Sequence, residues 1–186
     1  NLTWEVIYET LLFAERRLIH SLVAKHIEKF NKENLEPVAD LLFHHFSEAR
    51  NYEKSVFFAC VSGNRSAKMF ANEDAVSAYQ NALDLLHKIE RPTGFETSLL
   101  MEHIGDVYEI SGRYDMAEES LIAALESWES VGNRSKSNIT PWNIKPSSRK
   151  SIICRKISVS CERNSNYDSA LEWLDKAIEN LQKRPG

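Results

Sequence analysis

Apolar residues recur along this chain at the three- and four-residue steps of an amphipathic helix, and no period-two alternation competes. The pattern predicts nine helices, over about 3–11, 13–30, 35–49, 52–70, 72–89, 95–111, 114–132, 148–164 and 167–184. Asn34, Asn72, Thr93 and Asp115 stand where helices begin. Pro37 falls in a first turn, where its missing N–H costs little. Pro92 and Gly94 break the chain between two helices. With only six Gly and five Pro in 186 residues, most of them between the periodic stretches, long helices are expected.

The apolar pattern repeats. Gly105, Tyr108, Gly112, Tyr114, Ala117, Leu121 and Ala124 share their spacing with Ser158, Cys161, Ser165, Tyr167, Ala170, Leu174 and Ala177. Small residues at the first position and at the two alanine positions let paired helices approach. Tyr108, Tyr114 and Leu121 fill the space between them, and Gly112 permits the turn. One such hairpin cannot bury its own apolar face, so neighbours must stack. Two looser copies lie upstream: Phe43, Phe46, Arg50, Tyr52, Ser55, Ala59, Ser62, and Gly63, Ser66, Phe70, Asn72, Ala75, Tyr79, Ala82. They overlap, so residues 52–70 read as one helix that closes the first hairpin and opens the second.

This spacing resembles the tetratricopeptide repeat, whose period is about 34 residues. The fold class it implies is all-α, a right-handed superhelical stack of antiparallel hairpins. Between Ala117 and Ala170 the distance is 53 residues. The excess lies in residues 133–150, which carry five basic residues, two prolines and no acid, and read as a long loop, partly disordered. Residues 1–33 then form a helical junction, 34–132 the first hairpins, 133–150 a basic insertion, and 151–186 the final hairpin.

The first ninety residues carry a narrower resemblance. A Glu-Val-x-Tyr-x-x-Leu-Leu element (Glu5, Val6, Tyr8, Leu11, Leu12) precedes Arg16, Arg17 and His20, then Ala24 and Glu28. The elements His-His-Phe, Asn-Tyr-Glu-Lys and Ala-Asn-Glu-Asp-Ala follow. Together these resemble the tetratricopeptide region that follows the AAA/STAND-type ATPase of multidomain class III adenylate/guanylate cyclases. The resemblance implies an upstream ATPase and cyclase, and it names a position in an architecture better than it names an output domain. Opening on Asn1 and running straight into a helical pattern, the chain reads as a piece of such a protein.

Composition narrows the chemistry. A net charge of −4 argues against nucleic acid, and no apolar run reaches membrane-spanning length. Cys60, Cys154 and Cys161 are an odd number without framework spacing, which reads as free thiols in a reducing, cytoplasmic setting. The sequons at Asn1, Asn64, Asn133 and Asn138 read as chance. No phosphate loop, G-x-G-x-x-G turn or H-E-x-x-H element occurs, so neither catalysis, cofactor nor metal is expected. His44 and His45 are adjacent on a helix and diverge by about 100°, which suits one metal poorly. Cys154 and Cys161 share a helix face but lack further zinc ligands, and read as core. Arg16, Arg17 and His20 could bind phosphate, but a solvated face or an ion pair is the plainer reading. Trp142, in a polar loop, either folds back onto the stack or anchors a partner.

The expected function is a non-catalytic protein-interaction and regulatory module, binding a protein or the parent's own catalytic domains. The alternative is a free-standing scaffold or co-chaperone-like peptide binder. In a tetratricopeptide stack the first helix of each hairpin lines the groove. The inward positions are then Asp40, His44 and Ser47, next Glu102, Asp106 and Glu109, and last Arg155, Val159 and Glu162. The acids of the first two sets predict a basic peptide as ligand.

Overall fold

Four turns carry the fold. Arg50, Phe70, Gly112 and Ser165 all have positive φ, between 56° and 76°. They occupy the same position in the four copies of the repeat. At each, the next residue donates a backbone hydrogen bond back across the turn: Asn51 to Phe46, Ala71 to Ser66, Arg113 to Tyr108 and Asn166 to Cys161, at 2.9–3.0 Å. This left-handed cap satisfies carbonyls that the ending helix leaves open and reverses the chain. Only one of the four is glycine, so three turns hold an L side chain in a costly conformation. Asn51 and Asn166 then start the next helix, each accepting a backbone N–H three residues on.

The structure is a computed structural model that describes residues 12–91, 93–131, 139–142 and 149–182. Among them are eight α-helices: α1 Phe13–Phe30, α2 Ala39–Glu48, α3 Tyr52–Lys68, α4 Asn72–Leu86, α5 Gly94–Ile110, α6 Tyr114–Val131, α7 Arg149–Arg163 and α8 Tyr167–Gln182. The helix expected at 3–11, with Glu5, Val6, Tyr8 and Leu11, lies outside the described residues. The helix expected over 35–49 is divided. Glu36–Val38 is a 3-10 turn holding Pro37, and α2 starts only at Ala39. Pro37 has no N–H to give, and the tighter turn needs none from it.

Each helix packs on the next, so odd-numbered helices form one layer and even-numbered helices the other. Within the hairpins α3/α4 and α5/α6 the layers meet at glycine. A Cβ on Gly105 would lie 2.7 Å from Leu121 Cγ and 3.3 Å from the Ala117 carbonyl, and one on Gly63 would enter the Tyr79 ring. In α7/α8 the equivalent Ser158 is small and donates to the Ala170 carbonyl at 2.8 Å. Ser98 of α5 makes the same kind of bond to Ala124 at 2.7 Å. The core is three clusters along the seam, around Ala24, Leu42, Phe46 and Phe58, around Tyr79, Leu86 and Leu100, and around Leu121, Ile153 and Ile157, bridged by the partly buried Phe43, Met101 and Trp142. The whole is a tetratricopeptide-like α-solenoid.

The outer face of α8 differs from its counterpart in α6. Leu121 and Trp128 of α6 are 1% and 4% exposed, against Gly105 and Phe95 of α5 and in one cluster with Ile153 and Ile157 of α7. Leu174 and Leu181, at the equivalent positions of α8, are 41% and 49% exposed. Among the described residues the same apolar pattern occurs twice and is buried once.

Close packing at the seam makes it intolerant of added volume. Gly105→Ala and Ala117→Leu should each cost about 1–3 kcal/mol in urea denaturation. Glu119→Ala, on the exposed face of α6, should change stability by less than about 0.5 kcal/mol. Equal midpoints for the three variants would refute the repeat register.

Candidate functional site

The positions predicted to line one groove fall in two layers. Asp40, His44 and Ser47 lie on α2, in the even layer, whereas Glu102, Asp106, Glu109, Arg155, Val159 and Glu162 lie on α5 and α7, in the odd layer. The cause is the 20-residue offset between the two upstream repeat copies. One helix and a turn, rather than two helices, separate them, so the register changes layer between α2 and α3.

The acids of α5 are also engaged within the stack. Glu102 is 2% exposed and pairs with both Arg149 and Lys156 of α7, the latter at 2.7 Å. Lys156 further binds Asp106 at 2.6 Å, and Arg163 binds Glu109 at 2.9 Å. Burial pushes the Asp106 carboxyl up, against the pull of Lys156. These contacts correct the expectation of an open acidic groove: three cations of α7 neutralise the acids that a basic peptide would seek. Arg155 and Glu162 are exposed, and Val159 is half-buried. The signal was in the sequence, because α5 is rich in acid where α7 is rich in Lys and Arg. The same lacing continues along the odd layer. Glu28 of α1 pairs with Lys54 of α3, and Arg91 reaches both Glu53 of α3 and the buried Glu96 of α5.

Trp142 folds back. Its ring stacks on His103 of α5 at 4.0 Å and tilts against Tyr79 of α4 at 6.1 Å, and its Nε1 donates to Asn64 Oδ1 of α3 at 3.3 Å. Ile139 and Thr140, in the same short stretch, are buried. Ile139 shares a cavity with Glu28, Lys54 and Phe57. The stretch 139–142 of the basic insertion is therefore packed on the odd layer, and the rest of it up to Ser148 lies outside the described residues. Under Trp142 the His103 pKa is held down to about 3, first by burial and then by the charges of Lys156 and Arg149.

In the even layer, Asp40 accepts hydrogen bonds from Ser62 and Arg65. Burial pushes its carboxyl up, but these two donors outweigh it and the net shift is downward. Beside it, a cavity of about 300 Å³ is lined by Asp40, Phe43, Arg65, Asp74 and Asn81. His44 and His45 are not alone on α2. His20 of α1 reaches them across the helix interface, with its Nδ1 2.9 Å from His45 Nδ1. Cys60, Cys154 and Cys161 are buried and free. Burial raises all three thiols, Cys161 to about 11. No helix among the described residues is long and apolar enough to cross a membrane.

No protein-family model matches the chain, and no curated protein matches its sequence. Solved structures match its fold. BtubC (BKLC) from P. vanneervenii superposes with a TM-score of 0.67 at 14% identity, over 91% of this chain and 66% of that one. Two structures of MamA superpose at 0.56 and 0.53, with 15% and 17% identity, over 86% of this chain and 74% and 85% of theirs. At such identities the likeness establishes the tetratricopeptide-like architecture. The chain spans just under two thirds of the BtubC chain.

Two expectations follow from the laced layer. Glu102→Gln leaves Arg149 and Lys156 with one buried carboxylate fewer, and should cost about 3–5 kcal/mol in denaturant unfolding. A Glu102→Gln/Arg149→Met double variant should recover part of that loss, because Lys156 keeps Asp106 as its partner. The second concerns pH. A folded pKa held below the unfolded value of about 6.5 makes neutral His103 the form the fold requires. Its contribution is intact above about pH 6.5 and is lost as the pH falls towards 3. His20 and His45, also lowered by burial, act with the same sign. His103→Phe keeps the stack with Trp142 and removes the titration. Its stability should fall less between pH 7 and about pH 5 than that of the unmodified chain.

Proposed function

We propose that this chain is a non-catalytic protein-interaction module that regulates a multidomain signalling protein of the cyclase–ATPase type. The observation that carries the interaction reading is the outer face of α8. Leu174, Ile178 and Leu181 repeat the positions of Leu121, Leu125 and Trp128, which α6 buries in a cluster shared with α5 and α7. A face built to seat a helix of this repeat type, and open to solvent, fits one occupant best: an amphipathic helix presented by the parent protein.

The junction residues support the parent's type only through their resemblance to that family. In the fold they have packing roles: Ala24 is in the core, Glu28 pairs with Lys54 and His20 is buried against α2. A regulatory module of this kind works by contacting two states of its parent unequally. The co-chaperone alternative needs a cationic clamp for a carboxylate. The α5 positions carry Glu102, Asp106 and Glu109 instead, and the cations near them are already paired.

Two measurements test the proposal. Reading the gene on both sides of residues 1–186 should find a phosphate loop and cyclase metal-binding aspartates upstream; a start codon directly before Asn1 would reject the parent. Radical footprinting should label Leu174 and Ile178 less in the full-length protein than in residues 1–186 alone. Equal labelling would reject the docked helix. A dimer of the isolated chain that Leu174→Asp/Ile178→Asp dissociates would replace the parent's helix with a second copy.

A further inference from the structure

Adjacent histidines on one helix point apart, which is why His44 and His45 do not by themselves make a metal site. The structure adds a third ring that changes this geometry. His20 projects from α1 against both, with ring centroids 5.6 Å from His44 and 5.0 Å from His45, while His44 and His45 are 5.2 Å apart. The three rings thus form a nearly equilateral triangle. One nitrogen from each lies within 4.8 Å of the other two.

Three imidazoles around one zinc ion, with Zn–N bonds of about 2.0–2.1 Å, place their ligating nitrogens roughly 3.3 Å apart in tetrahedral geometry. The 2.9 Å between His20 Nδ1 and His45 Nδ1 is close to that spacing. His44, which is exposed, brings its nitrogen within 4.8 Å of the other two. We infer that His20, His44 and His45 bind one divalent transition-metal ion, zinc by preference, and that the ion staples α1 to α2. This reverses the expectation drawn from the sequence, where only the adjacent pair was visible. It does not rest on the regulatory reading above.

The chemistry is balanced. A neutral imidazole carries one proton on one of its two nitrogens. In the metal-free cluster, one proton between the two Nδ1 atoms makes a single N–H···N bond. On metal binding, that proton moves to Nε2 of the same ring, and both Nδ1 lone pairs face the ion. No net proton is lost and no redox change occurs. Glu48, one turn beyond His44 on α2, acts electrostatically on His20 and supplies negative charge beside the ion. Water fills the fourth position. The ion enters from the His44 side, which is open to solvent.

The competing account is a hydrogen-bonded histidine pair with no ion, and one experiment separates the two. The chain, made without a histidine tag and stripped with chelator, is titrated with zinc by calorimetry and with cobalt by visible absorption. Expected are one equivalent of either metal, the intense absorption of tetrahedral cobalt, and a zinc-dependent rise in melting temperature. His44→Ala and His45→Ala should each weaken zinc binding at least tenfold. His26→Ala, on the exposed side of α1 against Phe30, should leave it unchanged. Because His20→Ala removes a buried ring and can unfold α1, the exposed His44 carries the decision. Absence of a saturable equivalent in the unmodified chain would overturn the site. So would equal affinity in the His44→Ala variant.

Discussion

The stack depends on how closely two helices of a hairpin approach at one small residue. At Gly105 the neighbouring helix comes so near that a single methyl group would strike Leu121 and the Ala117 carbonyl. Gly63 does the same under Tyr79, and Ser158 turns the contact into a hydrogen bond to Ala170. That approach sets the separation of the layers. The separation then fixes which side chains reach across and where each turn must reverse. The positive φ at four equivalent turn residues is the backbone's answer to the same constraint.

Beside this seam, buried ion pairs join α5 to α7 within the odd layer. Buried ion pairs are weak evidence for stability, because desolvation offsets much of the Coulomb attraction. Here they do something a hydrophobic contact would not. Glu102 forms ion pairs with two cations of α7, and Lys156 is shared with Asp106, so α5 and α7 are held in one longitudinal register. A slide by one turn would strand at least one charge. The odd layer thus gains specificity of alignment, while the apolar seam supplies most of the cohesion.

Much of this was legible in the sequence, for a physical reason. Small-residue spacing is a local consequence of helix geometry, so Gly105, Ala117 and Ser158 could be placed before any coordinates. So could the turns at Arg50 and Ser165, which stand in place of glycine, whereas Phe70 was read as the end of a helix and lies in the turn. Layer membership was harder to read. A copy offset by one helix instead of two exchanges the layers, and Asp40 and His44 were accordingly grouped with the wrong neighbours. The fate of Glu102 and Asp106 depended on partners some fifty residues away, beyond an insertion of irregular length. His20 and His45 are 25 residues apart on separate helices, and periodicity carries no information about which rings meet.

Solenoids without such cross-ties behave as springs, because each hairpin touches only its neighbours and small rotations add along the axis. The packed stretch 139–142 works against that compliance. It belongs to the connection between α6 and α7, yet Trp142 rests on α3, α4 and α5, and Ile139 shares a cavity with α1 and α3. Pulling the ends of the stack apart would have to draw an indole out of its slot before the hairpins could uncoil. The connection is thereby a strut laid along the spring, tying helices that the stack alone joins only through their neighbours.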